Sequence, residues 1–303
     1  MTDIILHHYD LSPFSEKIRR VLAYKKLAWH AVEQPIMAPK PDLTPLTGGY
    51  RRIPVMQIGA DIYCDTALIA RVLEARHPEP PVLPAALAGA IGLIEDWADH
   101  RLFMFAVPPT LVALMDALPP GFLDDRQAMT PAFSKDAIIG SAPHALEQLR
   151  HALDDLDRQL GASPFLLGEE FTLADAACFH PVNFMLNNPS LATDLSLRPA
   201  LAAWHERITG FGAGEVQAMT AAEALETARA AEPAAIVNDA GTSADFSLDD
   251  SVTIVADDYG QETTTGRVTH IGVNDITVVR EDPELGNIAV HYPRAGYRIT
   301  RAA

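Results

Sequence analysis

Leu11-Ser12-Pro13-Phe14-Ser15-Glu16-Lys17 joins a short apolar segment to an amphipathic one, and its reading decides the fold. Upstream, Ile4-Ile5-Leu6-His7-His8-Tyr9 is apolar and β-branched at its start, the pattern of a buried strand. Downstream, Phe14, Ile18, Val21 and Leu22 recur at helical spacing, with Lys17, Arg19, Arg20 and Lys25 largely on other faces. Pro13 suits the first helical position, where a missing N–H costs nothing, and Ser12 then becomes the N-cap. Capping alone explains a hydroxyl there. The same position is also where oriented N–H groups and the helix dipole favour an anion, and a thiolate is one such anion.

The segments that follow extend this start into a domain. Residues 28–33 read as a strand, and 35–50 hold too much proline and glycine for a long helix. Residues 54–58 and 62–64 form a hairpin around Gly59-Ala60-Asp61, and Asp65-Thr66 caps a helix running to about Ala75. The resulting order, βαβ followed by ββα, is that of thioredoxin and spans residues 1–78. A proline-rich connection at 79–84 leads to a region, 85–232, that reads as helix throughout. Within it, 86–118 is apolar and broken or kinked at Pro108-Pro109. Residues 142–161 carry one leucine stripe, and Phe171-Thr172-Leu173-Ala174-Asp175 is a capping-box-like start with a shorter acid. Helices are also expected at 198–208 and 221–231.

Linker composition at 233–247 precedes a switch to period two. Strands are expected at 251–256, 264–271, 275–280, 287–292 and 297–301, which suggests a small half-open SH3-like barrel over 245–303, or a meander. The fold class is therefore α+β multidomain: a thioredoxin-like domain, an all-helical domain and a small all-β domain.

Composition narrows the partners. The 303 residues carry a net charge of −17, and residues 245–303 alone carry −5, with five arginines and no lysine. Nucleic acids and anionic membranes reward the opposite sign, so neither is expected as a partner. No apolar run reaches the roughly 18–20 residues of a membrane span, and the start lacks a signal-peptide pattern, so the expected compartment is the cytoplasm. Cys64 and Cys178 are far apart and give neither a disulfide framework nor a metal spacing. His7 and His8, adjacent on a strand, point to opposite faces and do not readily share an ion, so no metal is expected.

Four features, in order, resemble the cytosolic glutathione transferases over about residues 1–215. Ser12-Pro13-Phe14 resembles the active-site turn of the serine-type, tau- and zeta-like classes. Arg52-Ile53-Pro54-Val55 resembles the family's cis-proline segment. Asp65-Thr66 stands where the family has Glu/Gln-Ser at a helix start, and Phe171 to Asp175 matches the capping box of its helical domain. The resemblance implies glutathione as co-substrate and a small hydrophobic electrophile as its partner in the reaction, with a homodimeric assembly. It implies that Ser12 donates a hydrogen bond to the glutathione sulfur, with Phe14 nearby. The backbone of Ile53, before Pro54, would pair with the cysteinyl unit as an added strand. Asp65 and Thr66 would hold the γ-glutamyl end, and Arg52 and Lys40, with Arg51, the glycyl carboxylate. Tyr9, Phe103 and Phe105 would shape the hydrophobic-substrate pocket, although residues 102–107 serve equally as bundle core.

Two departures stand out. Asp65 is one methylene shorter than the family's usual acid, and Ser12 and Ser15 replace the cysteines of glutaredoxin-like relatives, so no protein mixed disulfide forms there. The all-β domain lies outside the family pattern. It motivates an alternative function, a non-catalytic binding or scaffold protein that acts through residues 245–303.

Overall fold

The computed structural model describes residues 3–234, 241–243 and 245–302. Residues 235–240 and 244, within the expected linker, lie outside the described residues. The chain divides into two compact units. One gathers Met1–Ser15, Ala28–Ile69 and Glu215–Ala303; the other gathers Glu16–Leu27 and Ala70–Gly214.

The chain opens with β1 (Ile5–His8), α1 (Pro13–Tyr24), β2 (Ala28–Glu33) and a four-residue helix α2 (Thr44–Thr47). Next come β3 (Val55–Ile58), β4 (Asp61–Cys64) and α3 (Thr66–Arg76), the thioredoxin order expected from the sequence. β1 pairs parallel with β2 and antiparallel with β3, which forms the hairpin with β4.

Helices fill the next stretch: α4 (Ala88–Trp97), a π-helical turn Ala98–Leu102, α5 (Phe103–Ala113), α6 (Phe122–Met129), α7 (Lys135–Leu160), α8 (Leu173–Met185), α9 (Pro189–Ser196) and α10 (Pro199–Thr209). The interruption expected at Pro108-Pro109 falls instead at the π-helical turn, and both prolines lie buried inside α5. A proline forfeits one helical hydrogen bond, and burial of Ala106 to Leu111 holds the helix through that loss. α7 starts earlier than its leucine stripe suggests because Ser134 Oγ accepts the Ala137 N–H at 3.2 Å and caps it. At α8 the capping box forms as read. The Thr172 N–H and hydroxyl both donate to Asp175 Oδ2 at 2.9 Å, while Oδ1 accepts from the Leu166 N–H and Trp204 Nε1.

Residues 215–218 differ from the expected continuous helix. They form β5 (Glu215–Ala218), which adds parallel to β2 after the positive-φ glycines Gly212 and Gly214 end the helical run. α11 (Ala221–Arg229) follows, its Thr220–Glu223 capping box intact. Its Ala224 packs on Ile5 and Val32, in the unit that holds the sheet.

The C-terminal strands are β6 (Ser251–Ala256), β7 (Thr264–Ile271), β8 (Asp275–Asp282), β9 (Gly286–Pro293) and β10 (Tyr297–Arg301). They run in the order β10-β6-β7-β8-β9, and the outer edge of β9 pairs parallel with β4. One ten-stranded sheet thus runs from β10 to β5. The joint is polar as well as apolar. His291 Nε2 meets Asp61 Oδ1 at 2.9 Å, its Nδ1 meets Thr277 Oγ1 at 2.8 Å, and its ring stacks on Tyr63. Beneath it Leu46, Val55, Ile62 and Cys64 share a single core with Val252, Val268, Ile276, Val278 and Val290.

His7 ties the other end of that sheet together. Gln34 Nε2 donates to His7 Nδ1 at 3.2 Å, and His7 Nε2 donates to Gln57 Oε1 at 2.8 Å. Gln57 Nε2 then donates to the carbonyls of Gly59 and Ala224. Burial lowers the His7 pKa to about 4, outweighing the Gln57 hydrogen bond and Asp42. The unfolded chain therefore takes up a proton between about pH 6.5 and pH 4 that the folded chain refuses, so stability falls as the pH drops through this window. The expected loss from His7 is roughly 3 kcal/mol by pH 4, read from urea unfolding at pH 7 and pH 4. His205, also lowered to about 4 by burial and Arg20, adds to it with the same sign.

Candidate functional site

Strand register collects the sequence-expected residues at one end of the sheet. His7 pairs with Val55, and Val55 pairs with Cys64, so the C-termini of β1 and β4 lie level with the N-terminus of β3. The turn carrying Ser12, the Arg52-Ile53-Pro54 segment and the Asp65-Thr66 helix start all emerge there.

Ser12 is buried, and its Oγ accepts the Ser15 N–H at 3.2 Å while its own N–H reaches the Tyr9 carbonyl at 3.0 Å. The cap is real, and it leaves the hydroxyl proton available to donate outward. Phe14 and Tyr9 are half-buried beside it in sequence. Ile53–Pro54 is a cis peptide bond. Asp65 adopts φ of 77°, a region that non-glycine residues seldom visit and that clusters at functional sites. Its Oδ1 accepts the Ala67 N–H at 2.9 Å and its Oδ2 accepts the Tyr297 hydroxyl at 3.1 Å. Thr66, buried, opens α3 next to it.

The cations are engaged from within the chain, which the sequence did not foretell. Arg52 donates through Nη2 to Asp258 Oδ1 and to the Tyr259 carbonyl, and its guanidinium lies 4.1 Å from the Tyr259 ring centroid. Arg51 pairs with Glu262 at 3.3 Å. Lys40 donates to the Pro35 carbonyl and sits 5.8 Å from the Tyr9 ring centroid. Burial opposes the charge on Arg52, but its acidic and phenolic neighbours, Tyr50, Tyr259, Tyr297 and Asp258, outweigh it and hold the guanidinium firmly protonated. Burial pushes the Tyr259 phenol up to about 12, with Arg52 opposing the rise and Asp258, Asp65 and Tyr9 adding to it. Neither Asp258, Tyr259 nor Tyr297 was singled out by the sequence. Asp258 and Tyr259 lie in the loop between β6 and β7 and Tyr297 opens β10, more than 190 residues beyond Arg52 and Asp65 in the chain, and the pairing of the sheet brings them close.

Phe103 and Phe105 belong to the other unit, half-buried at the start of α5; Phe103 lies 5.8 Å from the His180 ring and 6.4 Å from Phe184. Cys64 and Cys178 are both buried, and burial pushes each thiol well up, away from thiolate chemistry. Among the described residues one group has metal-ligating composition: His8, Asp10 and Glu33, whose donor atoms lie within 4.8 Å of one another. His8 is buried against Trp29 while both carboxylates are exposed, and exposed acidic groups are common without an ion. No helix among the described residues is long and apolar enough to cross a membrane.

Residues 6–81 match the glutathione S-transferase N-terminal domain family, and residues 139–207 match the glutathione S-transferase C-terminal domain family. A glutathione S-transferase-like protein from Pseudomonas syringae is 34% identical, covers 100% of both chains and superposes with a TM-score of 0.82. The chain belongs to the cytosolic glutathione transferase superfamily. The Pseudomonas match extends over the C-terminal strands too, so this transferase-family chain shares its whole architecture with that protein. Glutathione S-transferase F14 of Arabidopsis thaliana is 38% identical over 64 residues, a match spanning 20% of this chain and 25% of that protein. A Methylobacillus flagellatus glutathione S-transferase, solved with glutathione bound, is 20% identical over 69% of this chain and 98% of its own, with a TM-score of 0.52. At that identity it shares the fold.

Proposed function

We propose that this chain binds glutathione and, as the thiolate, adds it to an electrophilic carbon of a small hydrophobic substrate. The observation that carries the reading is the buried Ser12 hydroxyl at the N-terminus of α1, capped on its acceptor side and with its proton unspent. Donated to the sulfur, that proton favours thiolate over thiol, and the helix dipole adds to it. The sulfur then forms a bond to carbon while, in a substitution, the carbon–leaving-group bond breaks and the leaving group departs to solvent with its electron pair, or, at an activated double bond, the π pair shifts to the activating group and is protonated from solvent. Ser12 stabilises an anion and makes no covalent bond to substrate. Its catalytic contribution is electrostatic, with positioning of the two substrates supplying the rest.

In this reading the backbone of Ile53 pairs with the cysteinyl unit, Asp65 and Thr66 hold the γ-glutamyl end, and Phe14 and Tyr9 wall the site. Phe103 and Phe105 are proposed for the electrophile. Homodimeric assembly and a cytoplasmic setting follow from the family and are proposed with it. The expected result is saturable conjugation of glutathione to an activated aryl halide, followed by absorbance of the thioether. A chain that binds glutathione but conjugates none of a panel of aryl halides, epoxides and enones would favour the non-catalytic alternative. The engagement of Arg52 by Asp258 is the observation on that side.

A further inference from the structure

Asp65 is oriented from two directions. Its Oδ1 accepts the Ala67 N–H at 2.9 Å, a bond within the start of α3. Its Oδ2 accepts the Tyr297 hydroxyl at 3.1 Å, a bond from β10, 232 residues further along the chain. The Asp65 backbone sits at φ 77°, a conformation that a residue with a side chain keeps only where its surroundings over-determine it.

Tyr297 is itself fixed. It opens β10 opposite Ala256 of β6, and its ring centre lies 5.3 Å from that of Tyr292 and 6.4 Å from that of Tyr50. The Tyr50 and Tyr292 rings are 5.7 Å apart, so the three pack as one buried group. Tyr292 is anchored in turn, its hydroxyl 2.7 Å from Thr264 Oγ1, which donates to the Thr47 carbonyl at 2.8 Å. The Tyr297 hydroxyl has one proton and two acceptors within reach. The Tyr50 oxygen lies 3.4 Å away, whereas the Asp65 carboxylate is both nearer and the stronger acceptor, so it takes the proton. Burial raises the Tyr297 phenol well above its ordinary range, with Tyr50 and Asp65 adding to the rise and Arg52 opposing it, so the donor keeps its proton.

We propose that Tyr297 is a positioning residue that sets the Asp65 carboxylate for the ammonium of a γ-glutamyl thiol, which makes the C-terminal strands a working part of the thiol site. The inference rests on the thiol-binding reading above and gives residues 245–303 a role in it. Calorimetric titration of the full-length chain with glutathione and with its des-amino analogue, in which hydrogen replaces the γ-glutamyl ammonium, tests it. The wild-type protein should favour glutathione by about tenfold or more. Tyr297→Phe, which removes one oxygen and keeps the ring, should weaken glutathione about tenfold and leave the analogue within about twofold of its wild-type affinity. Tyr50→Phe removes the neighbouring hydroxyl from the same group of rings and should change neither. Unchanged glutathione affinity in Tyr297→Phe would overturn the proposal. So would an equal loss of both ligands, the mark of a merely structural role, or a loss in Tyr50→Phe as large as that in Tyr297→Phe. Equal wild-type affinity for the two ligands would overturn it without any variant, since Asp65 then holds no ammonium. If neither ligand binds the wild-type protein, the thiol-binding reading itself fails and takes the proposal with it, a result distinct from the others.

Discussion

On the proposed function, Ser12→Ala should lower kcat/KM for glutathione conjugation by about a hundredfold, the scale of losing one preorganised donor to a developing or stabilised anion. It also lowers stability by about 1 kcal/mol, because the Ser15 N–H loses its cap. Ser12→Gly separates the two effects. Glycine at an N-cap costs only a few tenths of a kcal/mol, so stability is nearly retained while activity falls as far as in the alanine variant. Ser12→Thr, which keeps a hydroxyl, recovers most of both. Should Ser12→Gly keep full activity, Ser12 is a cap and nothing more.

Lys17→Met should destabilise the protein by about 3–5 kcal/mol, the cost of leaving buried charge without its partner. Lys17 has no exposed surface, and its Nζ lies 2.9 Å from Glu95 Oε1 and 2.5 Å from Asp99 Oδ2. Burial works against its charge, but Asp99 and Glu95 outweigh burial and keep the ammonium protonated well above its usual range. Asp99 in turn lies 2.9 Å from His180 Nε2, and Glu95 lies 2.8 Å from Arg71. Burial lowers the His180 pKa, with the Asp99 hydrogen bond opposing it. The π-helical turn at Ala98–Leu102 carries Asp99 into this cluster. The check is the denaturant midpoint at constant m-value; a shift worth under 1 kcal/mol would show that the network relaxes or admits water.

Lys17 also shows where the sequence stops being informative. Helical spacing assigned Phe14, Ile18, Val21 and Leu22 to one face and put Lys17 and Lys25 largely outside it. Both lysines are buried, Lys25 through Glu74 and the carbonyls of His77 and Pro80. Periodicity records which residues are apolar. It does not record that a partner carboxylate 78 residues away makes a charged position interior. The thioredoxin order, the hairpin, the Thr172 capping box and all five C-terminal strands were legible because each depends on local pattern. The β4–β9 pairing was not, since an edge strand's partner is fixed by long-range packing. β5 hid in a short, mixed tetrapeptide beyond two glycines. At the site the same division holds. Ser12 and Asp65 were readable as helix starts from cap chemistry and Pro54 from the family resemblance, whereas Asp258, Tyr259 and Tyr297, which contact Arg52 and Asp65, enter only through long-range packing.

On the proposed function, this site makes and holds a thiolate. The most direct measurement is the ultraviolet thiolate absorbance of bound glutathione against pH, at protein concentrations where binding is independently saturated. The expected half-ionisation point lies at least about one unit below the roughly 8.5 of an ordinary cysteine thiol, returning most of the way to it in Ser12→Gly. A bound thiol that titrates at its ordinary value in the wild-type protein would contradict it.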